Sequence, residues 1–182
     1  AGTVTLTGSN SVTMDSTSLI QADSTITVTA GAGDARIDVV TSTASTVTID
    51  ATASGSILGA DGTNAVTGTV VTFNASTAVT ESVGTNGVRI NTSADTLAGT
   101  AGTGGFFVDE ADDVLISTIA ITGAGNVVVT SATGKIDEDA DDATVNISTG
   151  GAVSLTAFTA IGTDGANGLD VQSSDLSLDA PS

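Results

Sequence analysis

Two runs of carboxylates are the residues of this chain best equipped for chemistry: Asp137-Glu138-Asp139-Ala140-Asp141-Asp142, and Asp109-Glu110-Ala111-Asp112-Asp113 upstream of it. Oxygen-only donors at this density are the hard ligands that calcium prefers, and like charges packed so closely need a counter-ion. Asp137, Asp139 and Asp141 have the opening spacing of an EF-hand loop. Asp142, however, stands where that loop needs Gly, and Ser148 where it needs a bidentate Glu. The glycine-rich calcium nonapeptide fails as well, because Gly104-Gly105 is followed by Phe106-Phe107-Val108. The candidate metal ligands are therefore Asp109, Glu110, Asp112, Asp113, Asp137, Glu138, Asp139, Asp141 and Asp142, with calcium bridging loops or neighbouring subunits. The competing expectation is that these are solvated acidic loops and that no cofactor is required.

The same carboxylates are the only groups available for acid–base work, as Asp112/Asp113 or Asp139/Asp141, because the chain has no His. Neither pair lies in a sequence context that would desolvate it. There are three basic residues, Arg36, Arg89 and Lys135, to hold an acidic polysaccharide, and no Trp or Tyr to stack on a sugar. A polysaccharide-active enzyme is thus the lesser reading, and no catalysis is expected. The four Phe (Phe73, Phe106, Phe107, Phe158) read as core, with Phe106 or Phe107 the one most open to solvent. Thr-x-Thr recurs at Thr3/Thr5/Thr7, Thr25/Thr27/Thr29 and Thr46/Thr48, then fades. Stacked, it would form a hydroxyl array of the ice-binding kind; more simply, Thr is the outward residue of a half-buried strand. Asn74, Asn91 and Asn146 open N-glycosylation-type triplets, which chance supplies in a chain this rich in Ser and Thr.

Composition sets the limits within which these groups act. A net charge of −18 from 21 acidic and three basic residues argues against nucleic acid and against anionic lipid, both of which need clustered Lys and Arg. No apolar run approaches the roughly 20 residues of a membrane span, so no membrane insertion is expected. The absence of Cys removes disulfides and thiolate metal sites. The chain begins at Ala1 without a signal peptide, as a processed mature protein or a piece of a longer one would.

Positioning falls to strands. Thr, Val and Ile are plentiful and straight-chain helix formers scarce, which predicts an all-β chain. Apolar pairs two apart put both side chains on one face of a strand: Val4/Leu6, Ile26/Val28, Val47/Ile49, Val71/Phe73, Val88/Ile90, Val127/Val129, Val153/Leu155, Leu169/Val171. A turn of small polar residues and a further apolar position follow each pair. The clearest copy runs Gly125 to Ile136, with Val127, Val129 and Ile136 inward. A second motif, Ile57 to Val66, returns at Ile161 to Leu169, with relatives at Val83 to Ser93 and Asn167 to Ser174; its Gly, Asn and Asp fit positive-φ turns. Units beginning about 17 to 26 residues apart have the period of a solenoid. The expectation is a single domain over residues 1–182, a right-handed parallel β-helix of roughly seven to nine coils. At about 4.8 Å per coil it would be a rod of about 35–45 Å. A β-sandwich or jelly roll is the alternative.

These units resemble those of large repetitive bacterial surface proteins of the filamentous haemagglutinin-like and autotransporter-adhesin type. Gly104 to Val114, Gly125 to Ile136 and Gly150 to Ala157 carry the likeness. The resemblance implies a right-handed parallel β-helix exported to the bacterial surface, serving in adhesion or as a stalk. The chain departs from that pattern in being much shorter and in lacking a secretion domain. Neither an amphipathic helix nor a charged plug caps either end, and open sheet edges invite pairing. The expected partners are further copies joined end to end as a homo-polymer, or the remainder of a longer chain, with a host or neighbouring cell surface as the adhesive target. A calcium-dependent surface-layer or adhesion module is the functional alternative.

Overall fold

The computed structural model describes residues 2–78, 80–140, 143–162 and 168–181. Alternating β-branched and small polar residues form nineteen short strands, with no helix among the described residues. Every pairing between them is parallel, joining residues about two dozen positions apart. The chain is thus a β-solenoid of about seven turns. Parallel ladders throughout exclude the sandwich of hairpins, which needs antiparallel pairs.

One side of the coil stacks β1 (Val4–Gly8), β4 (Ile26–Ala30), β7 (Val47–Ala51), the second half of β9 (Ala65–Ala75) and the second half of β11 (Ile90–Ala101). It continues through β13 (Val114–Ile121), β16 (Ile147–Ser148) and β18 (Val171–Gln172). A second side stacks β2 (Val12–Thr13), β5 (Ala35–Ile37), β8 (Ile57–Gly59), β10 (Ser82–Val83), β12 (Gly105–Glu110), β14 (Val127–Ser131), β17 (Ala152–Ala157) and β19 (Asp175–Asp179). A third is formed by β3 (Leu19–Ala22), β6 (Val39–Ser42) and the first halves of β9 and β11. From β12 onward the second and third sides merge into one longer strand, since β12 pairs with both β10 and the start of β11.

Because register is kept from coil to coil, inward side chains line up in columns along the rod. One runs Leu6, Val28, Ile49, Phe73, Gly99, Ile119, Ile147, Val171. Another runs Val12, Ala35, Ile57, Val83, Phe106, Val127, Val153, Leu176. Away from the two ends these positions are buried, and together they are the core. The Phe73 and Phe106 rings meet across it at 6.3 Å in a tilted arrangement. Gly99 makes that contact possible: a Cβ there would lie 2.7 Å from the Phe106 ring. Gly105, just before Phe106, has φ +91, a region open to Gly, and its Cβ position lies 2.4 Å from the Asn126 carbonyl oxygen.

β15 (Ile136–Glu138) and β16 together cover the single strand β13: Ile116 faces Glu138 and Ile119 faces Ile147. The described residues between them, 139–140 and 143–146, lie outside the strands, and Asp139 of the second acidic run is among them.

Candidate functional site

The candidate ligands divide by the face of the strand on which they lie. In β12, Val108 and Glu110 point inward and Asp109 outward, as pleating requires. Asp109 receives the Arg89 guanidinium at 2.7 Å, and the same nitrogen donates to the Thr130 hydroxyl at 2.9 Å. Asn91, Asp109 and Thr130 are stacked neighbours, so Arg89 clips three successive coils together on the outer surface. Both partners are partly exposed, and the pair contributes up to about 1 kcal/mol.

Glu110 is buried in an inward column, Val40, Val66, Thr92, Glu110, Ser131, Ala157, that is apolar at its first two positions. The Thr92 hydroxyl donates to its carboxyl at 2.7 Å, the Ala111 amide at 2.8 Å and the Ala94 amide at 3.2 Å. Burial pushes the carboxyl up to about 6 against those three donors, and Asp112 adds to the rise. Ser131, next in the column, does similar work: its hydroxyl donates to the Asp112 carbonyl and accepts the Gly134 amide.

Asp112 and Asp113 are exposed in the turn after β12 and line an open groove of about 340 Å³ with Asp95, Thr133 and Gly134. One oxygen of Asp113 accepts the Lys135 amide at 2.8 Å, tying this turn to the next coil. Asp34 does the same for the Ser56 amide at 2.9 Å.

The second run contradicts the picture of a wholly solvated loop. Asp137 and Glu138 belong to β15 and are buried. Glu138 takes the inward place held by Val71, Leu97 and Ile116 in earlier coils. The Asp137 carboxylate lies 3.5 Å from the Lys135 ammonium and accepts the Glu138 amide at 3.0 Å. Asp139 is exposed just after β15; Asp141 and Asp142 lie outside the described residues. Among the described residues, no three acidic side chains converge as a metal-binding set. Among the described residues of the two runs, some of the oxygens are engaged by backbone amides, Arg89 and Lys135.

Sequence reasoning missed the asparagines that fix the turns. Asn64 is buried; its amide donates to the Arg89 carbonyl at 3.1 Å and its oxygen accepts the Asn91 amide at 3.0 Å. Asn146 repeats this arrangement just before β16, donating to the Ile116 and Ser117 carbonyls and accepting the Asp170 amide at 2.9 Å. They act through their side chains and not by adopting positive φ, which among the described residues belongs to Gly alone. For Asn64 the recurrence of the Ile57–Val66 motif was the available signal. Burial also makes Asn146 a poor glycan acceptor.

Two smaller expectations change. Phe106 and Phe107 are both buried, Phe107 beneath the coil surface although its strand position is outward; the exposed ring is Phe158, at 63%. The threonine ladder does not stop at Thr48: Thr5, Thr27, Thr48 and Thr72 are in register across four coils.

No family model, no curated protein and no solved structure matches the chain.

Proposed function

We propose that the chain is an extracellular structural or adhesive element at a bacterial surface, a stalk or filament segment that carries out no catalysis. The observation that carries this reading is what the polar side chains are occupied with. Glu110, Asp113, Asp34, Asn64, Asn146 and Arg89 each bind the neighbouring coil, so the groups that could have formed a reactive centre serve to hold the stack. The acidic surface and the resemblance to haemagglutinin-like and adhesin repeats support the extracellular placement. Antibody against the chain is expected to label intact cells of its source before permeabilisation. Labelling that appears only afterwards would overturn the placement.

The groove at Asp95, Asp112 and Asp113 favours one second reading, a calcium-dependent module. The structural reading expects calcium and magnesium, at equal concentration, to raise the melting temperature by the same amount, as screening of a −18 chain does. A shift specific to calcium and reversed by chelation would establish the calcium-dependent module in its place.

A further inference from the structure

We infer that Asn86 is a site of self-modification: its side-chain amide is lost through attack by the Gly87 backbone nitrogen, and the chain re-forms there in part through the side chain, as isoaspartate. The pair lies in the turn between β10 and β11, where Thr85, Asn86, Gly87 and Val88 are exposed. The feet of the turn are tied. The Thr85 amide donates to the Val88 carbonyl and the Val88 amide to the Thr85 hydroxyl, both at 2.9 Å. Its tip is free: among the described residues neither the Asn86 side chain nor the Gly87 amide has a hydrogen-bond partner, and a Cβ on Gly87 would meet nothing within 4 Å. An exposed tip of small residues changes conformation readily, and Gly gives the nitrogen room to reach the carbonyl carbon beside it.

The other asparagines are held or shielded. Asn64 and Asn146 are buried and bonded at both ends of their amides. Asn74 donates to Asp50 at 2.7 Å, Asn91 to the Asn64 carbonyl at 2.8 Å, and Asn126 accepts the Ala152 amide at 3.1 Å. These five and Asn10 precede residues with a Cβ; Asn167 also precedes Gly but lies outside the described residues. At Asn86 the Gly87 nitrogen, giving up its proton to hydroxide, bonds to the side-chain carbonyl carbon, and the amide nitrogen leaves as ammonia. Water then opens the cyclic imide at either carbonyl. One opening gives Asp; the other gives isoaspartate, with an extra carbon in the main chain. Both leave the protein one charge more negative than −18. Isoaspartate alone lengthens the path to Arg89, and so loosens the guanidinium that holds Asp109 and Thr130 on successive coils.

Timed incubation of the 182-residue protein in mildly alkaline buffer, followed by denaturation, trypsin and mass spectrometry, tests this. Cleavage after Arg36, Arg89 and Lys135 puts Asn86 and Asn167 in different peptides. Asn86 is expected to convert ahead of every other described asparagine, to give both Asp and isoaspartate peptides, and to do so faster as pH rises. Gly87→Ala, whose new methyl meets open space, should keep the parent's circular dichroism and slow the conversion by an order of magnitude. The isoaspartate form should melt about 2–4 °C below the parent, whereas Asn86→Asp, which adds the charge without the extra carbon, should melt like it. An Asn86 that stays intact while the unfolded chain converts, or conversion to Asp alone at a rate indifferent to Gly87→Ala, would overturn the site. An isoaspartate form that melts with the parent would overturn its effect on the Arg89 clip. None of these results touches the surface placement, which the labelling experiment decides separately.

Discussion

Phe106→Ala is expected to cost about 3–5 kcal/mol, the toll of emptying a fully buried aromatic position that cannot collapse. Collapse is prevented on both sides. Gly99 offers no side chain to move into the void, and Phe73 is held by its own column neighbours, Ile49 and Gly99. In a chain of this length each kcal/mol moves the melting temperature by about 2–4 °C, so the loss is about 6–20 °C. Phe158→Ala, at the one exposed ring, should stay within about 0.5 kcal/mol. Thermal and denaturant melts of the two variants beside the parent make the comparison. Equal effects would mean that the Phe73–Phe106 contact is not part of the core. Because each coil contacts only its neighbours, the Phe106 variant should also broaden or split the transition, as the halves on either side of the defect lose their coupling.

Glu110→Gln is expected to stabilise the protein at neutral pH, by about 2 kcal/mol. The carboxyl titrates near 6 in the fold against 4.5 as a free side chain, so the fold prefers its protonated form. Its contribution is fully present below pH 4.5 and is lost as pH rises through 6, and 1.5 units correspond to about 2 kcal/mol. Glutamine is neutral at both pH values. Its oxygen can accept the Ala111 and Ala94 amides, and its amide can donate to the Thr92 hydroxyl. The variant should therefore melt like the parent at pH 4 and about 4–8 °C higher at pH 7.5. A lower melting temperature at pH 7.5 would mean that the three hydrogen bonds to the ionised carboxylate outweigh its burial.

Much of the architecture was legible in the sequence for one reason: strand pleating has a period of two, and a β-solenoid repeats it without change of direction. Val127, Val129 and Ile136 are inward as the spacing requires. The same rule, applied without regard to residue type, also places Glu110 inward after Val108 and Glu138 inward after Ile136. Acidity pointed to solvent, and geometry prevailed, because a carboxyl can be buried where donors meet it or where it is protonated. What spacing could not convey was where the coil lets a loop out. The chain's return to the coil before β16 is held by Asn146, whose amide reaches carbonyls of the preceding coil, and a contact between turns on different coils leaves no periodic trace. Proximity of the carboxylates in sequence becomes proximity of their oxygens only where the strand does not turn alternate residues apart, as it does Asp109 and Glu110.

The parallel register also governs how such a rod can come into being. Bonded residues lie most of a coil apart even where a short turn joins their strands, as Ile90 of β11 and Val108 of β12 do. A newly made first coil has nothing to lean on, and a nucleus requires at least two coils, with the full entropy of the closed loop lost before the first ladder forms. Once it exists, every further coil adds to a ready-made template at a fixed gain. Initiation is slow and extension quick, the kinetic regime of a growing crystal, in a single polypeptide.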